Sequence, residues 1–206
     1  MSNEDQRRVY CIEGFYEYEG QKTEPSIKPM LAMLSQWGYW PSPEYKKCKT
    51  IVAANRFFRA KWSGSVPGSV LFFATHGCRG EISLSDGEPL DGRSIGLRDL
   101  GSHLANECQG RLVHFSSCCV LRDEEAVDDF LRQTEAVAVS GYRADVGWAE
   151  SSKPALLSDL MLLNELWEAN IDFFNARSFR PQLRRIEENL QRRFGDCQFE
   201  IVQRRR

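Results

Sequence analysis

Residues 69–77 read SVLFFATHG, an apolar run that ends in a threonine, a histidine and a glycine. Such continuous apolar character is typical of a parallel strand that is covered by helices on both faces. Residues 111–118, RLVHFSSC, repeat the pattern with a cysteine at the end, and residues 135–140 form a third run. Apolar strands that alternate with helices across short connections predict an α/β fold around a mainly parallel sheet.

The rest of the chain alternates in the same way, because apolar residues recur at helical spacing between the short apolar runs. Further strands are predicted over 9–15 and 198–202, and helices over 26–38, 97–108, 124–132, 156–174 and 181–194. Residues 81–90 predict a hairpin with a tight turn at Asp86-Gly87. The pattern of 45–54 is ambiguous and is compatible with a short strand through 50–52.

The composition predicts one globular domain over residues 1–206. Hydrophobic residues make up 42% and charged residues 27% of the chain, which excludes wholesale disorder. No apolar run approaches the roughly 20 residues that span a bilayer, and the first ten residues contain no apolar secretion signal. We therefore expect a cytoplasmic protein without membrane association, whose seven cysteines are mostly free thiols.

The charge is distributed unevenly along the chain. The net charge of −2 argues against general affinity for nucleic acid, but residues 178–206, which hold the basic helix and the last strand, carry eight arginines against four acids. A nucleic-acid-binding stripe would use the arginines of this helix, 184, 185, 192 and 193. A solvated helix face is the favoured interpretation, so nucleic acid is not an expected partner.

A histidine and a cysteine follow two of the apolar strands. The carboxyl ends of parallel strands meet at one edge of a sheet, where active sites form, so His76 and Cys118 are expected near one another. A thiolate can attack a carbonyl carbon while an imidazole transfers the proton. The N–H group of Gly77 can approach an oxyanion closely. The alternative is that His76-Gly77 is only a turn and Cys118 a small buried apolar residue.

The segments VLFFATHG (70–77) and LVHFSSC (112–118) resemble those of caspase-like (clan CD) cysteine peptidases, and their pattern is closest to bacterial CHAT-like and prokaryotic caspase homologues. The histidine precedes the cysteine by 42 residues, against about 50 in caspases. The resemblance is best supported over 66–165. It implies a three-layer sandwich of about six mainly parallel strands with helices on both faces and a small β-hairpin.

The same resemblance implies roles for individual residues. Cys118 corresponds to the nucleophile and His76 to the catalytic histidine, with the backbone N–H groups of Gly77 and Cys118 forming the oxyanion hole. No cofactor or metal is required. The sequence departs from the caspase motif after the cysteine, where Cys119, Val120 and Leu121 follow. Cys119 therefore remains a competing nucleophile, or a partner of Cys118 in a redox-sensitive pair.

Residues 138–152, AVSGYRADVGWAESS, resemble the strand and loop that partly build the substrate pocket in bacterial members. Acidic side chains there would favour a basic substrate residue before the scissile bond. The alternative is that the acids are exposed loop charges and the tryptophan a core or lid residue. The candidate wall residues are Asp86, Tyr142, Asp145, Trp148 and Glu150.

Two other site classes fit less well. His103, Cys108, His114 and Cys118 are residue types that bind zinc. However, His114 and Cys118 lie about 13 Å apart if both are on one strand, which is too far for one ion. The glycines after His76 precede a hairpin rather than a helix, so they do not form a phosphate-binding loop.

Two functions follow from these patterns. The first is a cysteine endopeptidase that cleaves a protein substrate, with an activating protein partner or a homodimer as a further expectation. Bacterial relatives of this kind serve antiviral defence or cell-death systems as effector proteases. The resemblance implies the same role for this chain. The second is a non-catalytic caspase-like binding module that recruits a protein partner.

Overall fold

The computed structural model describes residues 6–15, 26–85, 93–146 and 153–204. In chain order, the strands are β1 Val9–Glu13, β2 Glu44–Lys47, β3 Val70–Ala74, β4 His76–Cys78, β5 Glu81–Ser83, β6 Ser94–Gly96, β7 Leu112–Ser116, β8 Ala138–Tyr142 and β9 Phe199–Gln203. Six of them form one sheet in the order β2-β1-β3-β7-β8-β9, parallel throughout except for β9. The other three form a small antiparallel sheet.

Helices cover both faces of the large sheet. They are α1 Lys28–Gln36, α2 Ile51–Phe57, α3 Leu97–His103, α4 Glu124–Thr134, α5 Lys153–Glu168 and α6 Ala176–Arg193, with a π-helical segment Phe58–Trp62 after α2. Buried residues of α1, α5 and α6 form one core, and those of α2, α3 and α4 form the other. Among the described residues, no helix is long and apolar enough to cross a membrane.

Strand β3 shows why the sheet lies between two cores. Its five side chains are all buried, with Phe72 in the α1/α5/α6 core and Leu71 and Phe73 in the opposite one. Alternation along a strand sends neighbouring side chains to opposite faces, so an unbroken apolar run fills both cores. This arrangement confirms the predicted α/β sandwich of six mainly parallel strands with helices on both faces and a small additional sheet.

The short strand considered through 50–52 is wrong, because these residues begin α2. Thr50 has an extended backbone, and its hydroxyl accepts a hydrogen bond from the Ala53 N–H at 3.3 Å. This contact satisfies an N–H group that the first helical turn would otherwise leave without a partner. The strand of this region lies earlier, at β2, and pairs with β1.

The small sheet has one strand more than the predicted hairpin. His76–Cys78 does not form a turn but a strand of its own, which pairs antiparallel with β5, and β5 in turn pairs with β6. The predicted turn at Asp86-Gly87 lies outside the described residues. The chain therefore passes directly from β3 of the large sheet into β4 of the small one, which gives His76 a strand backbone.

Candidate active site

The strand that carries His76 packs directly against the loop that carries Cys118. A Cβ atom added to Gly77 would lie 2.6 Å from the Cys118 carbonyl oxygen and 2.8 Å from Ser117 Cβ. Only glycine permits this approach, because real Cβ atoms do not come so close to other heavy atoms. Farther along, the Gly80 N–H donates to the Val120 carbonyl at 3.2 Å. The structure thus brings together the two segments that the sequence predicts to carry the dyad.

Cys118 is the more accessible of the two adjacent cysteines. Its side chain is half-buried, and its Sγ accepts a hydrogen bond from the Val146 N–H at 3.3 Å. Burial raises the pKa of the Cys118 thiol, and the negative charge of Asp145 raises it further, whereas the Val146 N–H opposes the rise. The resting side chain is therefore a protonated thiol at neutral pH, with one N–H group placed to stabilise its thiolate.

Cys119 is more deeply buried than Cys118. Its backbone lies in the left-handed region, with φ of 52°, and its N–H donates to the Ala144 carbonyl at 3.0 Å. The buried thiol donates to Asp145 Oδ1 at 2.7 Å. Burial and this hydrogen bond raise the pKa of Cys119 to about 12. A thiol held in this way is a poor nucleophile. Both cysteines are free, so the structure contains no disulfide between them.

The other predicted site residues do not all lie beside Cys118. Half-buried His76 lies next to Gly77 on β4 and so borders the Cys118 loop. Asp145 is exposed at the sheet edge, where it accepts the Cys119 thiol. Tyr142 has no exposed surface, and its hydroxyl donates to Asp159 and to the Ala155 carbonyl. In this conformation Tyr142 belongs to the core below the site. Asp86, Trp148 and Glu150 lie outside the described residues.

A buried carboxylate that the sequence pattern did not predict lies below the Cys118 loop. Asp159 of α5 is fully buried and accepts hydrogen bonds from three side chains. His114 Nε2 lies at 2.8 Å from Oδ1, Ser116 Oγ at 2.6 Å from Oδ2, and the Tyr142 hydroxyl also bonds to Oδ1. The sequence does hold a signal for such a site, because Asp159 is the single acidic residue in the apolar helix segment LLSDLMLL (156–163). A charge is almost never fully buried without partners.

A second buried carboxylate, Glu13, ends β1. It accepts the Ser26 hydroxyl at 2.8 Å, the Ile27 N–H at 3.3 Å and the Tyr45 hydroxyl. Burial and the hydrogen bond to Glu13 raise the pKa of Tyr45. Among the described residues, the groups that donate to the Glu13 carboxylate therefore lie near β1 and β2, with β3 and β7 between them and β8.

The histidines considered for zinc have other contacts. His114 is fully buried, with Nδ1 at 2.9 Å from Ser140 Oγ and Nε2 against Asp159. A proton on Nε2 satisfies both contacts, because the Ser140 hydroxyl can then donate to Nδ1. His103 Nδ1 accepts a hydrogen bond from Asn55 at 3.2 Å on the protein surface. Within the described ranges, no three His, Cys, Asp or Glu side chains are grouped to hold a metal ion.

Comparison with solved structures identifies a similar fold. The Arg-specific cysteine proteinase gingipain R matches with a TM-score of 0.51 and 12% identity, over 96% of this chain and 46% of that chain. A complex of the pro- and mature domains of Porphyromonas gingivalis RgpB matches with a TM-score of 0.49 and 11% identity, over 96% and 48%. The chain spans under half the length of the proteinases it matches. The likeness to gingipain R, a clan CD caspase-like proteinase, supports the caspase-like fold.

At the level of sequence, no curated protein matches the chain. Residues 6–160 match the model of a family of unknown function, DUF6642. The matched region contains β1 to β8, including the strand that carries His76 and the loop that carries Cys118. Because this region is well over half of the sequence, the chain belongs to the DUF6642 family.

Proposed function

We propose that the protein is a cysteine endopeptidase with Cys118 as nucleophile and His76 as its proton-transfer partner. The observation that carries the proposal is the contact of Gly77 with Ser117 and Cys118, which places the histidine-bearing strand beside the cysteine-bearing loop. The caspase-like fold supports it, because the fold resembles that of cysteine proteinases. The half-buried Cys118 thiol can be reached from solvent, whereas the thiol of Cys119 is bonded to Asp145.

The proposed reaction has two stages. Cys118 transfers its proton to His76 and its sulfur attacks the scissile carbonyl carbon, while the N–H groups of Gly77 and Cys118 stabilise the oxyanion. The C–N bond then breaks, His76 protonates the departing amine, and a thioester to Cys118 remains. Water, deprotonated by His76, attacks the thioester and releases the new carboxylate and the thiol. Neither stage uses a cofactor.

We propose a protein substrate with a basic residue before the scissile bond. Asp145 supports this preference, because its carboxylate is exposed at the edge where Cys118 lies. One of its oxygens accepts the Cys119 thiol, which is a neutral partner. The test is a panel of fluorogenic peptides that vary only in this residue. We expect Arg and Lys peptides to be cleaved fastest, and equal rates across the panel would refute the preference.

We also propose a cellular setting for the peptidase. The sequence pattern favours a cytoplasmic effector protease of the CHAT-like type, acting in bacterial defence or cell death. We propose that binding of a protein partner or a second copy raises the activity of the enzyme. Activity per molecule that rises with protein concentration would support activation by a second copy.

The test of the peptidase is labelling with a peptidyl acyloxymethyl ketone at limiting concentration, mapped by mass spectrometry. We expect selective labelling of Cys118 in the folded protein, none there in Cys118→Ala, and at least tenfold slower labelling in His76→Ala. The exposed His103→Ala is the matched control, because it removes a histidine remote from the site. If Cys118 reacts no faster than in the denatured protein, the proposal is wrong.

A second candidate function is a non-catalytic binding module. The observation that favours it is the half-buried position of Cys118, where burial raises the pKa of the thiol, whereas activated thiols have a lowered pKa. A module would recruit its partner without reacting with the ketone. Pull-down of the same partner by wild type and by Cys118→Ala, together with an inert Cys118, would support this alternative over the peptidase.

A further inference from the structure

The pairing between β7 and β8 stops before the strands end. Their register runs from Leu112 opposite Ala138 to His114 opposite Ser140. Both strands continue for two more residues, to Ser116 and Tyr142, without further backbone pairs between them. These two residues lie just before the Cys118 loop and the Asp145–Val146 loop.

Asp159 joins the two strands beyond their last backbone pair. One carboxylate oxygen accepts the Ser116 hydroxyl at 2.6 Å, and the other accepts the Tyr142 hydroxyl. Oδ1 also contacts His114, the last paired residue of β7, at 2.8 Å. Gly141 allows close approach here, since an added Cβ would lie 2.8 Å from the Phe115 carbonyl oxygen. The carboxylate thus adds a side-chain connection between the two strands beyond the paired part of the ladder.

Burial of a carboxylate in a protein core is energetically unfavourable. Hydrophobic residues of similar volume would often serve stability as well or better, because the charge must lose its water on burial. Asp159 nevertheless lies in a helix that packs the α1/α5/α6 core through Leu162, Leu163 and Leu166. Departures from simple core packing of this kind concentrate at functional sites.

We propose that Asp159 is a positioning residue for Cys118. By joining Ser116 to Tyr142, it fixes the two loops that follow β7 and β8, and so holds the Cys118 sulfur against the Val146 N–H. Ser116 is two residues before Cys118, and Tyr142 is four before Val146. The proposal rests on the proposed function only in taking Cys118 as the nucleophile, because the geometry it explains exists in the resting protein.

The test is the pH dependence of Cys118 alkylation by iodoacetamide in Asp159→Asn. If Asp159 positions the sulfur, its loss weakens the Val146 N–H bond to the thiolate, and the apparent pKa of Cys118 rises by about half a pH unit or more. Loss of the negative charge alone would act in the opposite direction and lower the pKa. A lowered or unchanged apparent pKa would therefore overturn the proposal.

Three further measurements keep the test decisive. Ser116→Ala removes one partner of Asp159 and is expected to shift the pKa in the same direction by less, so it replaces Asp159→Asn if that variant does not fold. Thr134→Val removes a buried hydroxyl that bonds to the Phe130 carbonyl and is expected to leave Cys118 unchanged. The fully buried Cys11 and Cys108 should remain unlabelled in every folded variant.

The two proposals fail in different ways. If wild-type Cys118 does not react with the peptidyl ketone but its pKa rises in Asp159→Asn, the peptidase is refuted and the positioning role stands. If wild-type Cys118 reacts with the ketone but Asp159→Asn leaves its pKa unchanged, the positioning role alone is refuted.

Discussion

Thr75 and Ser117 share a hydrogen bond of 2.8 Å between their buried hydroxyl groups. Each residue immediately precedes a member of the proposed dyad, His76 or Cys118. The bond also lies one residue beyond the last backbone pair of β3 and β7, Ala74 opposite Ser116. It therefore extends the connection between β3 and β7 up to the residues next to His76 and Cys118. The Asp159 contacts, by comparison, connect β7 to β8.

We expect Ser117→Ala to lower the free energy of unfolding by about 1–3 kcal/mol, because it leaves the Thr75 hydroxyl buried without its partner. Replacing both hydroxyls, in Thr75→Val combined with Ser117→Ala, should recover much of this loss, since no buried group then lacks a partner. Urea unfolding of the two single variants and the double variant measures the coupling. Strictly additive losses would show that the bond contributes nothing to stability.

Gly77→Ala is expected to prevent labelling of Cys118 by the peptidyl ketone. The new methyl group would overlap the Cys118 carbonyl and Val120 Cγ2, each at 2.6 Å, so β4 must move away from the loop. The accompanying loss of stability should be about 1–3 kcal/mol.

Gly195→Ala is the matched control for this glycine, because an added Cβ there meets no atom within 4 Å. It should label like wild type. Wild-type labelling of Gly77→Ala would show that the close contact between β4 and the Cys118 loop is not needed for reactivity.

The two adjacent cysteines should respond differently to replacement by serine. Cys119→Ser keeps a donor for Asp145 and is expected to retain labelling at Cys118 within about threefold, whereas Cys118→Ser should abolish it. The pKa of Cys119, about 12, means that its thiolate is scarce at neutral pH. Labelling that moves to Cys119 in the wild-type protein would assign the nucleophile to that residue instead.

The large sheet could be predicted because its central strands are apolar without interruption, and strand ends in a parallel sheet meet at one edge. That rule was enough to predict that the segments carrying His76 and Cys118 lie side by side. Strand β4 could not be predicted, because His76–Cys78 is short and polar and is ordered by pairing with distant residues of β5. Asp159 carried a signal, a lone acid in an apolar helix, but its partners become evident only when β7, β8 and α5 are assembled.

Glu187 of α6 should make stability depend on pH. Its carboxylate accepts the Ile201 N–H of the edge strand β9 at 2.8 Å. Burial raises its pKa above the ordinary value of 4.5. A carboxyl group with a higher pKa in the folded state favours folding below its unfolded pKa, and this contribution is lost as pH rises through the folded pKa.

Glu187→Gln keeps an oxygen acceptor but removes the charge, so we expect it to raise the free energy of unfolding at pH 7 by less than about 1 kcal/mol. The gain should disappear as the pH falls to about 3, where the wild-type carboxyl is largely protonated in both states. Urea unfolding of wild type and variant at both pH values measures this, with the exposed Glu188→Gln as control. A gain of the same size at pH 3 would mean that the charge of Glu187 is not its cause.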